Sequence, residues 1–179
     1  MDASMTSRQW ALLSNYSIYS AMFLYTIAFF SHAVEVAFSV KNNDSKTQFD
    51  FTRTDKSGRI GTAMMILGQA FLIAGVLFRG VSAHRAPWGN MYEFSITGAM
   101  AFSLAYLMAL SKYKLRWLGL PVSIAVLLTL GTAVTLLYRP SAPLVPALKS
   151  TWLIIHVSAA IISGGVFLLA NVIAAVYLY

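Results

Sequence analysis

The chain alternates between long apolar segments and short polar ones. Five mostly apolar segments run over about residues 16–40, 60–78, 91–111, 117–138 and 152–179. Each is near the roughly 20 residues that an α-helix needs to cross a bilayer, and a helix satisfies its own backbone hydrogen bonds there. The pattern therefore predicts an all-α, polytopic membrane protein with five transmembrane helices in a single domain.

The composition agrees with this pattern. Hydrophobic residues make up 58% of the chain and charged residues only 11%, whereas a soluble domain is roughly 25% charged. The first residues, 1–4, lack the basic region and cleavage site of a signal peptide, so we expect the first helix to be retained. The chain contains no cysteine, which excludes a disulfide, a thiolate metal site and a thiol nucleophile.

The net charge of +7 indicates membrane topology rather than binding to nucleic acid. The basic residues lie in the segments that flank the spans, five on one side of the membrane and eight on the other. The positive-inside rule places the larger group in the cytoplasm and the amino terminus outside. The larger group comprises Lys41, Lys46, Arg53, Lys56, Arg59, Lys112, Lys114 and Arg116.

Glycines mark one face of the second predicted helix. Gly61, Gly68 and Gly75 follow one another at seven-residue intervals and therefore share a face. Because small residues let two membrane helices approach closely, this face is predicted to pack against a neighbouring helix.

A cluster of polar and aromatic residues precedes the third helix. The segment Pro-Trp-Gly-Asn-Met-Tyr-Glu-Phe, residues 87–94, contains Trp88, Asn90, Tyr92 and Glu93. Proline, glycine and asparagine favour a turn before a helix, and a glutamate in the first helical turn is stabilised by the helix dipole. A capped helix entry explains each residue singly, but it does not explain why four such residues occur within six positions.

A second motif begins the last helix, in the segment Lys-Ser-Thr-Trp-Leu-Ile-Ile-His-Val, residues 149–157. Trp152 and His156 are four residues apart and therefore lie on one helical face. A histidine near the start of a membrane span is either an interfacial polar residue or a ligand held at the membrane surface. Heme suits the second interpretation because it is planar and apolar, and its iron accepts histidine as an axial ligand.

Together the two motifs resemble the CcsA, or ResC, family of cytochrome c biogenesis proteins, in the form of its actinobacterial branch. The resemblance covers the chain from about Ile60 onward. It implies a subunit of a heme exporter and cytochrome c synthase in the bacterial plasma membrane, acting with a membrane protein of the ResB or CcsB type. Heme b is presented at the outer face, where its vinyl groups form thioether bonds with an apocytochrome c. His156 corresponds to an axial ligand of the heme iron, beside Trp152, and residues 87–93 correspond to an outward loop that shapes the heme or substrate pocket.

In that family a tryptophan-rich heme loop and a second external histidine follow the helix that begins at Trp152. The chain is therefore expected to correspond to the N-terminal part of the family's proteins and to be inactive by itself in heme attachment. A truncated gene, a partial sequence and a split subunit all stay open as the explanation. Two further functions stay open, a non-catalytic membrane scaffold or assembly subunit and a small-molecule transporter. Other titratable residues are His32 and Glu35, which are expected to form a local pair or to assist heme entry, and His84 in the outward loop.

Overall fold

A computed structural model describes residues 3–43, 46–49, 55–113, 115–140 and 150–178. Within these ranges the chain forms five long helices, and each contains an apolar segment long enough to cross a membrane. The predicted all-α class with five spans is confirmed. The helices are α1 (Ala3–Ser39), α2 (Asp55–Ala83), α3 (Met91–Lys112), α4 (Gly119–Leu136) and α5 (Thr151–Tyr177), with a 3-10 turn at Arg116–Leu118 before α4.

The first two helices extend beyond the apolar segments that predict them, whereas α4 is shorter than its predicted segment 117–138. The first helix begins at Ala3 rather than near residue 16, and the second covers Asp55–Ala83 rather than 60–78. A polar side chain at the end of a span reaches water, so it does not interrupt the helical backbone. The polar connector contains an antiparallel hairpin, β1 (Val40–Asn43) and β2 (Lys46–Phe49), with Val40 opposite Phe49. The apolar pattern did not predict this hairpin. Lys149 and residues 50–54 lie outside the described part of the chain.

The glycine face of α2 packs against α1. A Cβ atom at Gly75 would lie 2.8 Å from Ile18, one at Gly68 would lie 3.2 Å from Tyr25, and one at Gly61 would lie 2.8 Å from the imidazole of His32. The three partners on α1 are also seven residues apart, so the two antiparallel helices keep one register along their length. The predicted role of these glycines in close helix packing is confirmed.

A neutral polar network joins three helices in the middle of the bundle. The Tyr25 hydroxyl donates to Gln69 Oε1 at 2.9 Å and lies 2.6 Å from the Ser103 hydroxyl. Gln69 Nε2 in turn donates to the Met100 carbonyl at 3.1 Å. The network holds α1, α2 and α3 in register, because buried polar groups are stable only when they are paired. Apolar residues surround it, among them Ile18, Met65, Leu72, Ile96, Phe102 and Leu130.

The fifth helix lies at the edge of the bundle and packs chiefly against α3. A Cβ atom at Gly165 would meet the α3 backbone at 3.0 Å, between Ala101 and Phe102. One span, α4, separates α3 from α5, so the two helices start at the same end of the bundle. We define the N-terminal end of the bundle as the end that holds the starts of α1, α3 and α5 and the ends of α2 and α4. The opposite end holds the connector hairpin.

Candidate functional site

Two of the predicted site residues lie on the outer face of α5. Trp152 is 79% exposed, and His156, one turn later, is also exposed. The helix buries Ile161 and Leu169 on its other side, so the tryptophan and the histidine point away from the bundle. His156 makes no hydrogen bond with any residue that the structure describes. Its ring nitrogens are therefore accessible from outside the bundle at the N-terminal end.

Asn90 caps the start of α3. Asn90 is the residue before the helix, and its side-chain oxygen accepts a hydrogen bond from the Glu93 backbone N–H at 2.8 Å. The Glu93 carboxylate returns to accept from the Gly89 N–H at 2.9 Å. The first bond satisfies a backbone donor that a helix start leaves without a partner, and the second ties the preceding turn to the first turn of the helix. Trp88 is half-buried in the preceding turn, where its backbone N–H donates to the Ala86 carbonyl at 3.0 Å.

Glu93 is also the centre of a buried ion-pair cluster. Arg85 donates to its Oε2 at 2.6 Å and to its Oε1 at 3.2 Å, and Arg79 Nε donates to Oε1 at 3.2 Å. The guanidinium of Arg79 is fully buried, donates to the Arg139 carbonyl and lies 5.1 Å from the centre of the Tyr92 ring. The cluster therefore joins the end of α2 to the start of α3 and to the segment after α4.

The six predicted site residues thus form two groups. Asn90, Tyr92 and Glu93 belong to a packed network with Trp88 in the adjoining turn, whereas Trp152 and His156 share the open face of α5. Sequence reasoning treated Arg79 and Arg85 only as charges that flank a span. The signal that could have found them is Glu93 itself, since a carboxylate among basic residues at a helix entry needs a cationic partner when it is buried.

The opposite end contains a second charge network, in which His32 and Glu35 are buried and Arg116 and Asp55 are partly exposed. His32 Nδ1 lies 3.0 Å from Glu35 Oε2, Arg116 Nε donates to Glu35 Oε1 at 2.6 Å, and Arg116 Nη1 donates to Asp55 at 2.6 Å. The expected local pair of His32 and Glu35 is confirmed, and the structure extends it to α2 and to the turn before α4.

The imidazole of His32 is enclosed between two helix backbones. A Cβ atom at Gly61 would come within 2.8 Å of the ring, and one at Gly119 would come within 2.6 Å. His32 Nε2 is buried without a hydrogen-bond partner. A planar ligand has no space beside this ring, so the described structure supports a packing role for His32.

His84 ends α2 in a left-handed backbone conformation, with φ of 50°. The N–H groups of His84 and Arg85 donate to the carbonyls of Val81 and Gly80, both at 3.2 Å. These bonds form the 5→2 and 6→1 pair of a Schellman motif, in which glycine is the usual residue at the left-handed position. The side chain lies 3.3 Å from the Ser7 hydroxyl. His84 therefore has a local structural role.

The family model and the similar proteins both indicate cytochrome c assembly. The family described as "Cytochrome C assembly protein" matches residues 88–179, a segment that contains all six predicted site residues. Three relatives are named "Cytochrome c biogenesis protein CcsA". The relative from Marchantia polymorpha is 32% identical over 64% of this chain and 37% of its own length. The relative from Picosynechococcus sp. is 32% identical over 68% and 36%, and that from Cyanophora paradoxa is 30% identical over 88% and 45%.

The matched part of the chain thus corresponds to less than half of the length of these curated relatives. No solved structure matches the chain.

Proposed function

This chain belongs to the cytochrome c assembly protein family, and from that premise we propose that it presents heme at the outer membrane face for covalent attachment to apocytochrome c. It is a multi-pass membrane protein of cytochrome c biogenesis. The N-terminal end of the bundle is proposed to face outward from the bacterial plasma membrane. A membrane protein of the ResB or CcsB type is the proposed partner, and the two together form the heme lyase.

One observation carries the proposal, namely the exposed pair of Trp152 and His156 on α5. Neutral histidine is a common axial ligand of heme iron, and the imidazole of His156 is accessible and makes no bond within the described structure. Trp152 lies one turn away on the same face and offers an apolar surface to a flat porphyrin. The residues present therefore fit heme as a substrate that is held at one axial position.

The surrounding structure would keep this pair in place. The opposite side of α5 is packed on α3, and Gly165 brings the two backbones into contact. At the start of α3, the contacts of Asn90 and Glu93 stabilise the helix entry. We propose that residues 87–93 shape the outer end of the bundle rather than ligate the iron, because Glu93 already accepts bonds from two arginines.

In the proposed reaction the thiols come from the apocytochrome c. Heme supplies two vinyl groups, and the S–H of each apocytochrome cysteine adds across one of them, so that sulfur bonds to one carbon and hydrogen to the other. This chain contains no cysteine, so it offers no competing thiol at the attachment site. Its own residues would hold and orient the porphyrin while the reaction proceeds.

The test replaces His156 in the chromosomal gene. His156→Ala should lower the heme that copurifies with the protein and the amount of thioether-linked cytochrome c, and added imidazole should partly restore both. His84→Ala is the matched control, since His84 is exposed at the same end of the bundle and its role is local. Unchanged heme and unchanged cytochrome c in His156→Ala would overturn the proposal.

A scaffold or assembly subunit is the alternative, and the buried cluster around Glu93 is the observation that favours it. In that case Glu93→Gln, which disrupts the packing of α2 against α3, should abolish cytochrome maturation while His156→Ala leaves it intact. The two variants therefore separate heme presentation from a purely structural contribution.

A further inference from the structure

A small cavity opens at the N-terminal end of the bundle, between α1, the end of α2 and the segment that follows α4. Its volume is about 260 Å³, which is below the roughly 300–1,000 Å³ of sites for drug-sized ligands. It can accept a charged group but not a whole porphyrin. The lining residues are Ser7, Arg8, Ala11, Arg79, Ser82 and Tyr138, with Pro140 at the rim.

Two arginines share this cavity. Arg8 is exposed and forms no ion pair or hydrogen bond with any residue that the structure describes. Arg79 is fully buried, and its described bonds are made by Nε and Nη2. Glu93 already accepts bonds from Arg79 and Arg85. Two like charges around one space repel each other, and an anion between them removes that repulsion.

Two of the donors around the cavity, Arg79 and Tyr138, are held in position by contacts within the protein. Arg79 is held by Glu93, by the Arg139 carbonyl and by the face of Tyr92. The Tyr138 hydroxyl accepts from Asn15 at 3.1 Å, so its own hydrogen remains available to a ligand. These two side chains lose little conformational freedom when an anion enters, and preorganisation of this kind raises affinity.

We propose that this cavity binds an anionic oxygen group, a phosphate or a carboxylate, at the membrane surface. Guanidinium groups recognise both through paired, charge-assisted hydrogen bonds. Two sources supply this chemistry at the N-terminal end, the phosphate of an anionic phospholipid and a propionate of heme. The heme source rests on the function proposed above, whereas the lipid source does not.

The experiment measures binding of short-chain phosphatidylglycerol and phosphatidylcholine to the purified chain in neutral detergent. Phosphatidylglycerol should bind more tightly, and Arg8→Gln should weaken its binding about tenfold, or about 1.4 kcal/mol, for the loss of one charge-assisted hydrogen bond from an exposed arginine. Arg59→Gln is the matched control, because Arg59 is a 78% exposed arginine at the opposite end of the bundle. Equal affinity for the two lipids together with unchanged heme binding in Arg8→Gln would overturn the proposal.

A second arm titrates heme and heme dimethyl ester into the chain in phosphatidylcholine nanodiscs. If a propionate fills the cavity, Arg8→Gln should weaken heme binding about tenfold and leave binding of the ester unchanged. Loss of heme binding in His156→Ala, with no effect of Arg8→Gln on the binding of phosphatidylglycerol or heme, would overturn the anion site. The proposed function would still stand. Weakened phosphatidylglycerol binding in Arg8→Gln, with no effect of His156→Ala on heme binding, would support the anion site and overturn the proposed function.

Discussion

The close packing of α1 on α2 can be tested with one added methyl group at Gly75. In Gly75→Ala, the new Cβ would lie 2.8 Å from Ile18 Cγ1, 3.3 Å from the Ser14 carbonyl oxygen and 3.4 Å from the Ile18 nitrogen. The overlap at 2.8 Å is with the side chain of Ile18, which is fully buried and has little space to rotate. The contact with the Ser14 carbonyl oxygen is tight and belongs to the α1 backbone, which cannot rotate away. Ser14 Oγ also donates to the Gly75 carbonyl at 2.7 Å, which resists separation of the helices. Overpacking of this kind should destabilise the bundle by about 1–3 kcal/mol.

The matched control is Gly131→Ala in the interior of α4, where a Cβ would have nothing within 4 Å. Membrane helices stay helical when a bundle separates, so the intrinsic preference of alanine for helix largely cancels between the two states. The free energy of unfolding of Gly131→Ala should therefore stay within about 0.5 kcal/mol of the parent protein.

Titration with dodecyl sulfate in mixed micelles measures both variants, with tryptophan fluorescence as the probe. Trp10 on α1 packs against Phe78 on α2 with ring centroids 5.4 Å apart, so its emission should change when the two helices separate. Gly68→Leu should lower the unfolding midpoint further than Ile73→Leu, because Gly68 faces Tyr25 at 3.2 Å. Equal midpoints for Gly75→Ala and Gly131→Ala would refute the inference that this face of α2 holds α1.

Three further predictions concern the ends of the bundle. Glu93→Gln leaves the buried charge of Arg79 without its counter-ion and should destabilise the protein by about 3–5 kcal/mol in the same titration; a loss below 1 kcal/mol would show that the cluster is hydrated. His84→Gly should be about 1 kcal/mol more stable than His84→Ala, because only glycine adopts the left-handed conformation without cost, and equal thermal midpoints would contradict this. In the cysteine-free chain, Ala83→Cys should react with an impermeant maleimide added to intact cells and Lys112→Cys should not, whereas the opposite labelling would invert the orientation.

Sequence reasoning predicted features that depend on local patterns. Apolar segments of sufficient length correspond to all five helices, and the seven-residue glycine spacing marked the face of α2 that meets α1. The hairpin of β1 and β2 was not predicted, because its mostly polar residues lack the strict alternation that indicates a half-buried strand. The early start of α1 was missed for a related reason, since hydropathy measures what a membrane accepts and not where a helix begins.

In the candidate site, too, interactions between residues close in sequence were predictable and contacts between helices were not. The capped entry of α3 at Asn90 was predictable from the turn residues and Glu93, because the interactions lie within a few positions. The pairing of Glu93 with Arg79 crosses from one helix to the next, and that of Glu35 with Arg116 crosses from α1 to the turn before α4. Such contacts depend on how the helices pack, and one sequence contains no signal for them beyond the need of a buried charge for a partner.

The pairing of Glu35 with Arg116 also constrains how the protein is made. The two residues are 81 positions apart, so at about 5–20 residues per second the ribosome needs roughly 4–16 s to deliver the arginine after the glutamate. During that interval α1 carries a carboxylate in its last turns without its guanidinium partner. Until then the described partner of Glu35 is His32, three residues earlier on the same helix. We therefore expect α1 to complete its packing only after the start of α4 has been made, whereas Arg79 precedes Glu93 by only 14 residues.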